Sequence, residues 1–336
     1  VPKHKRAYDL WAGFNNFPRL LRGYYRAARR KSDRDSVIAF HSRLEEEILT
    51  IRDELEEGTY QWGTYRTFWV TAPKLRKIES APFRDRVVHQ GIAEVIETLF
   101  DPTFYHHSYA CRSGRGTHRA MKTVKKWAAL RPDSSYLQMD VSRYFPSVNH
   151  DILFGMIERR IGDPRFLALL RSLLNSTPTP NGIPIGNLTS QIFANLYLDT
   201  LDQYVKRELK VKHYVRYMDD IVLLHNDRRQ LQRWRSSIEQ FASEKLRLTF
   251  HPHKVALAKV SGGVSFVGYR IFPSEIRLRS KSLRRFRKGL KEKISLSQKV
   301  RRLLSYEGHL IHTDNHQSLM PGLRQTAFSK EVFIEM

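Results

Sequence analysis

The chain has 336 residues, enough for one large domain or two to three subdomains, and its 41% hydrophobic content marks a folded globular protein. A net charge of +24 and a pI near 10.2 argue for a polyanionic partner, most simply nucleic acid, over a soluble protein that is merely basic. One cysteine, Cys111, excludes a disulfide framework and a cysteine zinc site, and no apolar run is long enough to span a bilayer. A reducing, cytosolic compartment is the default, and no basic amphipathic helix stands apart from a core as a membrane-surface anchor would. The start, Val1-Pro2-Lys3-His4-Lys5-Arg6, lacks the apolar core of a signal peptide and, having no initiator Met, reads as trimmed.

Residues 1–34 carry ten Lys/Arg against two Asp, interleaved with Trp11, Phe14, Phe17, Tyr24 and Tyr25. Helical spacing from Tyr8 to Ala28 fits a helix that meets a phosphate backbone or an acidic partner face, or a solvated basic helix packed by its aromatics. An amphipathic helix is predicted over 36–57, capped by Ser36 and ended by Gly58. Two strands follow, Tyr65–Thr71 and Arg76–Ser80, joined at Pro73-Lys74-Leu75. A helix over Arg84–Phe100 is stopped by Asp101-Pro102. The loop from Ser108 to Thr117 holds Arg112, Gly114, Arg115 and Gly116 ahead of a helix over 118–130. It fits phosphate contact by Arg112 and Arg115, or a plain connection.

A short apolar strand, Tyr136–Val141, carries Asp140. Two helices over 149–175 are broken at Gly162-Asp163-Pro164, Asn175–Asn181 is a loop, and a long helix is predicted from Gly186 to Lys206. The run from His213 to Leu224 reads as a β-hairpin with Asp219 and Asp220 at its tip. Adjacent carboxylates repel, so this tip is either an ordinary acidic turn or a cation site. A helix over 228–245 and strands near 247–250, 255–260 and 264–272 complete the middle of the chain. Residues 277–302 carry twelve Lys/Arg and one acid, Glu292, on predicted helices. Strands and helices mix without regular βαβ alternation, which predicts an α+β fold.

If the Asp140 strand lies beside the Asp219 hairpin in one antiparallel sheet, Asp140, Asp219 and Asp220 meet at one edge. With the Val141 carbonyl they make an all-oxygen set for two Mg²⁺ ions. Two such ions, about 3.5–4 Å apart, support in-line phosphoryl transfer.

These residues resemble the first and third blocks of a reverse transcriptase. Asp140 followed by Phe145 matches the first block, Gly182 to Gln191 the second, and Tyr217-Met218-Asp219-Asp220 the third. Pro73-Lys74-Leu75-Arg76 with Phe83-Arg84-Asp85-Arg86-Val87-Val88 matches the fingers blocks. Phe266-Val267-Gly268-Tyr269 matches the primer-supporting block. The blocks stand in the family's order over about residues 60–275. The resemblance implies a right-hand polymerase with a basic helical extension over 1–60, fingers and palm over 61–275, and a helical thumb over 276–336. It implies RNA-templated DNA synthesis from deoxynucleoside triphosphates on a template RNA and then an RNA/DNA hybrid.

By the same resemblance Asp140, Asp219 and Asp220 ligate the metals. Lys74 and Arg76 hold the triphosphate. Tyr144 and Phe145 belong to the nucleotide site, where Phe145 stacks under the sugar and excludes a ribose 2′-hydroxyl; its other reading is a core aromatic. Ile185, Gly186 and Gln191 complete the nucleotide site. Lys254 is the general acid toward pyrophosphate, or a solvated lysine. Gly268, Arg284, Arg287 and Lys291 contact the nucleic acid.

The second block departs from the common pattern, reading Ile185-Gly186 and Ser190-Gln191 where most members have Gln-Gly and Ser-Pro. That form, with Ser305-Tyr306-Glu307-Gly308-His309, resembles the reverse transcriptases of diversity-generating retroelements, which are bacterial or phage-encoded. Such enzymes make adenine-directed errors and work with an accessory variability determinant protein. An isoleucine at 185 can only pack where a glutamine could hydrogen-bond, which lowers discrimination by roughly 1–3 kcal/mol. Gly186, Ser190 and Ala194 are expected on one helix face, giving close approach to template or nucleotide, or close helix packing. The rivals are a retron or group II intron-type enzyme and, from another class, a catalytically silent nucleic-acid-binding module. No residues are left for an RNase H or endonuclease domain, so template removal and target choice are expected from other proteins.

Overall fold

The computed structural model describes residues 6–71, 75–177 and 181–328. Pro73, Lys74, Pro178 and Pro180 lie outside the described residues. The chain divides into two compact units, one of residues 1–106, 141–208 and 238–249, the other of residues 107–140, 209–237 and 250–336.

The first unit is mainly helical. The expected helix from Tyr8 is two, Leu10–Phe14 and Phe17–Ala28, because the Asn16 side chain accepts from the Arg19 N–H and caps the second. Arg19, Arg22 and Arg26 converge on Glu94 at 3.7, 3.6 and 2.9 Å, with Arg22 and Arg26 still exposed, while Phe14 and Tyr24 are buried. The expected helix over 36–57 is also split, into Asp35–His41 and Leu44–Glu57, and ends at Gly58. Arg34, not Ser36, stands at the first cap.

Asp163 explains the break before Pro164–Asn175. One oxygen of its buried carboxylate caps that helix at the Phe166 N–H (3.0 Å), and the other accepts from the N–H groups of Leu10 and Trp11 at 2.8 and 2.9 Å. The core runs along Phe83–Phe100 and Leu188–Gln203, whose Ile192, Phe193, Ala194, Tyr197, Leu198 and Leu201 are buried. Among its described residues this unit carries one hairpin, β1 (Arg66–Val70) and β2 (Arg76–Ser80).

The second unit holds a four-stranded antiparallel sheet of β3 (Ser135–Asp140), β4 (His213–Tyr217), β5 (Asp220–His225) and β6 (Ala256–Lys259), in the order β4-β5-β3-β6. A three-stranded sheet follows, β7 (Val264–Phe266), β8 (Tyr269–Ile271) and β9 (Ile276–Leu278). The single strand expected over 264–272 is therefore a hairpin turning at Val267-Gly268, both at positive φ (44° and 93°). Glycine takes that backbone freely, whereas the β-branched Val267 takes it at a cost. Strand β9 was not expected, and 247–250 forms no named strand. The helix Arg228–Leu246 matches expectation. The helices Ser280–Leu290, Leu296–Leu310 and His316–Phe328 bear out the expected helical end. Tyr136, Val215, Val222, Phe266, Tyr269, Phe286 and Leu310 share the apolar core of this unit with Val124 and Trp127 of helix Thr117–Leu130.

Candidate functional site

In the second unit, register brings the acids together. Strand β3 pairs antiparallel with β5 so that Asp140 is the Cα partner of Asp220. Strand β4 closes on β5 with Tyr217 opposite Asp220, leaving Met218 and Asp219 as a two-residue turn. Met218 sits at φ 55°, a left-handed backbone that costs a non-glycine residue about 1–2 kcal/mol. Arg216, wholly buried beneath this turn, donates to the Met218 carbonyl at 3.1 Å.

The carboxylates feel one another. Burial, together with the nearby Asp140 and Asp219, pushes the partly exposed Asp220 up to about 7, against the hydrogen bond from Gln138. The Gln138 amide donates to Asp220 at 2.9 and 3.2 Å and to the Ser265 carbonyl at 2.8 Å. Asp140 is ion-paired with Lys254. The pairing has a local cause: the Asp140 carbonyl accepts from the His251 N–H at 2.8 Å, and the His251 carbonyl accepts from the Lys254 N–H at 3.0 Å. This pins the turn Pro252–Lys254 to the end of β3, and the lysine is paired rather than merely solvated.

Three mutually repelling carboxylates suit hard dications by donor chemistry. Among the described residues, however, no three His, Cys, Asp or Glu side chains are gathered in ligating geometry. Asp140 is ion-paired with Lys254 while Asp220 accepts from a neutral amide, so ligation by Asp140 requires release of Lys254. Val141, whose carbonyl completes the expected set, has its side chain buried.

In the first unit, the Gly182–Gly186 segment is held by backbone bonds to Phe145 and to β2. The Ile183 N–H donates to the Phe145 carbonyl at 2.9 Å, and the Ile185 carbonyl accepts from the Glu79 N–H at 2.9 Å. Gly186 sits at φ 130° against β2, where a Cβ would lie 3.0 Å from Ile78 Cγ2. Arg76 is exposed and, two residues before Ile78, shares its face of β2. Phe145 is half-buried, edge-to-face with Tyr144 at 5.8 Å.

Two expectations are corrected here. Tyr144 is buried and donates its hydroxyl to the Ala194 carbonyl, so of the pair only Phe145 offers surface to a nucleotide. The helix begins at Leu188, with Asn187 before it, so Gly186 does not share a helix face with Ser190 and Ala194. Gln191 lies half-buried in the first turn of that helix. Lys74 lies outside the described residues.

Of the expected nucleic-acid contacts, Arg112 folds back onto the Ser108 carbonyl (3.0 Å) and Arg115 lies over the Tyr109 ring (5.9 Å). Gly268 is at the β7–β8 turn, and Arg284, Arg287 and Lys291 are exposed on and just after helix Ser280–Leu290. Sequence reading missed Gln138 and Arg216. The one available signal was position: Gln138 is two residues from Asp140 and so on its face of β3, and Arg216 interrupts an apolar strand.

Comparison with known proteins agrees with this architecture. The profile of the family Reverse transcriptase (RNA-dependent DNA polymerase) matches residues 70–271. Protein YkfC of Escherichia coli K12 is 27% identical over 275 residues, covering 68% of this chain and 72% of that protein. The group II intron-encoded protein LtrA of Lactococcus lactis subsp. cremoris is 28% identical over 180 residues, covering 50% of this chain and only 29% of LtrA. A Candida albicans telomerase structure, in complex with a TWJ fragment of telomeric RNA, superposes with a TM-score of 0.54 at 12% identity, over 83% of this chain and 58% of that one. That likeness is one of fold, the α+β right-hand polymerase. Among the described residues no helix is long and apolar enough to cross a membrane.

Proposed function

The chain belongs to the reverse transcriptase (RNA-dependent DNA polymerase) family, with residues 70–271 as its RNA-directed DNA polymerase domain, and from this premise we propose that it copies a template RNA into cDNA for a diversity-generating retroelement, with frequent errors at template adenines. The observation that carries the catalytic reading is the register that sets Asp140 opposite Asp220 at the Met218-Asp219 turn. Two Mg²⁺ ions bound there would supply Lewis-acid stabilisation of the transferring phosphoryl group. Asp140, Asp219, Asp220 and the Val141 carbonyl would hold them.

The chain's own groups do the rest. Arg76, with Lys74, binds the triphosphate. Phe145 packs under the sugar and excludes a 2′-hydroxyl. Lys254, released from Asp140, donates a proton to the leaving pyrophosphate. Gly268 and the exposed Arg284, Arg287 and Lys291 grip the template–primer duplex through its phosphates. The division at residues 60 and 275 into extension, fingers with palm, and thumb belongs to this proposal, as does an accessory variability determinant as partner.

Ile185 and Ser190-Gln191 support the retroelement subtype: Ile185 offers the nucleotide no hydrogen bond where a glutamine would. A second reading, an accurate group II intron-type enzyme, is favoured by the similarity to LtrA. Primer extension on a defined RNA with and without Mg²⁺, followed by product sequencing with Asp219→Asn as control, separates them. Metal-dependent cDNA with errors opposite adenine, reduced in Ile185→Gln, supports the proposal. Accurate cDNA moves the chain to the intron or retron type. RNA binding without synthesis, even with cognate RNA and accessory protein, makes it a silent binding module.

A further inference from the structure

We infer that Gln138 is a positioning residue that aims the Asp220 carboxylate for metal binding and ties it to strand β7. The inference rests on the proposed role of Asp220 as a metal ligand. Gln138 is opposite Val222 and two residues from Asp140 on β3, so Asp220 is its diagonal neighbour on the same face of the sheet. A primary amide has two N–H donors on one nitrogen. Here one serves both oxygens of Asp220 at 2.9 and 3.2 Å, and the other serves the Ser265 carbonyl at 2.8 Å. Both donors are thus used, and the side chain is a fixed bridge between the third carboxylate and the strand that leads into the Val267-Gly268 turn.

The choice of residue matters chemically. A lysine at 138 would pair with Asp220, as Lys254 pairs with Asp140, and would compete with a dication. An apolar residue would leave the carboxylate free to rotate. A neutral donor orients Asp220 and leaves its full negative charge for metal. Outer groups of this kind, which orient metal ligands by hydrogen bonds, change metal affinity or activity by roughly 10–100-fold when removed.

The test uses the full chain with Gln138→Met, which keeps length but no donor, and Gln138→Asn, which keeps the amide but is one methylene too short to span both partners. Binding of Mn²⁺ alone is followed by the EPR signal of the free ion, beside primer-extension kinetics. The expected result is a roughly tenfold weaker Mn²⁺ affinity in folded variants, a parallel rise in the Mg²⁺ requirement, a fall in kcat and a dNTP KM within about twofold of wild type. A merely structural role would lower the melting temperature and leave Mn²⁺ affinity unmoved. If Gln138→Met does not fold, Gln138→Asn carries the test on the same readouts. Wild-type Mn²⁺ affinity in a folded variant overturns the inference. If Asp220→Asn also binds Mn²⁺ like wild type, it is instead the reading of Asp220 as a ligand that fails.

Discussion

Replacing Gly186 by alanine probes the packing of the Gly182–Gly186 segment on β2. At φ 130° the backbone lies where side-chain-bearing residues are strained, at a cost of about 1–3 kcal/mol. The new Cβ would also lie 3.0 Å from Ile78 Cγ2 and 3.3 Å from the Glu79 carbonyl oxygen. Relief of that crowding costs on the order of 1 kcal/mol and pushes against the Glu79 N–H to Ile185 carbonyl bond. The sum is about 2–4 kcal/mol, or a melting temperature lower by roughly 3–6 °C in a chain of this size. Because Arg76 shares the Ile78 face of β2, the dNTP KM should rise several-fold with a smaller change in kcat. The assay is thermal unfolding plus single-nucleotide incorporation on Gly186→Ala, Ile78→Ala and the double variant. The double variant should recover the steric share, about 1 kcal/mol of coupling, and not the backbone share. A Gly186→Ala enzyme with wild-type melting and KM would refute both arguments, and zero coupling would refute the steric one.

Arg216→Met keeps most of the buried volume and removes the donor to Met218; losing a charge-assisted bond of about 1.5–3 kcal/mol should cut kcat about 10–100-fold in single-turnover incorporation, and an unchanged kcat would show that the turn holds itself. Asp220 has its pKa raised from 3.8 to about 7, so the folded chain binds this proton more tightly than the unfolded one. Without metal, the stability Asp220 contributes is therefore present at low pH and lost as pH rises through that window. Metal takes the ionised form, so Mg²⁺ affinity should rise from pH 6 to 8 with proton release, seen by calorimetry in buffers of different ionisation enthalpy; pH-independent binding would contradict this. Asp163→Ala removes a cap and two further acceptor contacts and should cost about 2–4 kcal/mol in urea unfolding, whereas a loss under about 1 kcal/mol would mean that Leu10 and Trp11 find other partners.

Sequence alone determined what depends on short spacing. Asp140 at the end of an apolar β-run, and the acidic pair between two β-runs at Tyr217-Met218-Asp219-Asp220, are local patterns, so the three acids and their strands were legible. Asp101-Pro102, Asp163-Pro164 and Gly58 punctuate helices through backbone constraints that any reader of the chain can apply. Only the tertiary structure decided how these pieces use one another. That Gln138 reaches Asp220 follows from the β3–β5 register between segments about eighty residues apart, which no local periodicity encodes. That Lys254 pairs with Asp140 follows from a backbone bond between Asp140 and His251. Tyr144 and Phe145 are adjacent aromatics of equal promise in sequence, yet Tyr144 is buried with its hydroxyl bonded to the Ala194 carbonyl and Phe145 stays partly open. That Arg19, Arg22 and Arg26 of the basic N-terminal helix meet Glu94 follows from its packing beside a helix about seventy residues on, which their spacing does not encode. Residue type and spacing fix local backbone preference and available chemistry, whereas which side chains meet depends on the closure of long loops and on strand register, set by the whole core at once.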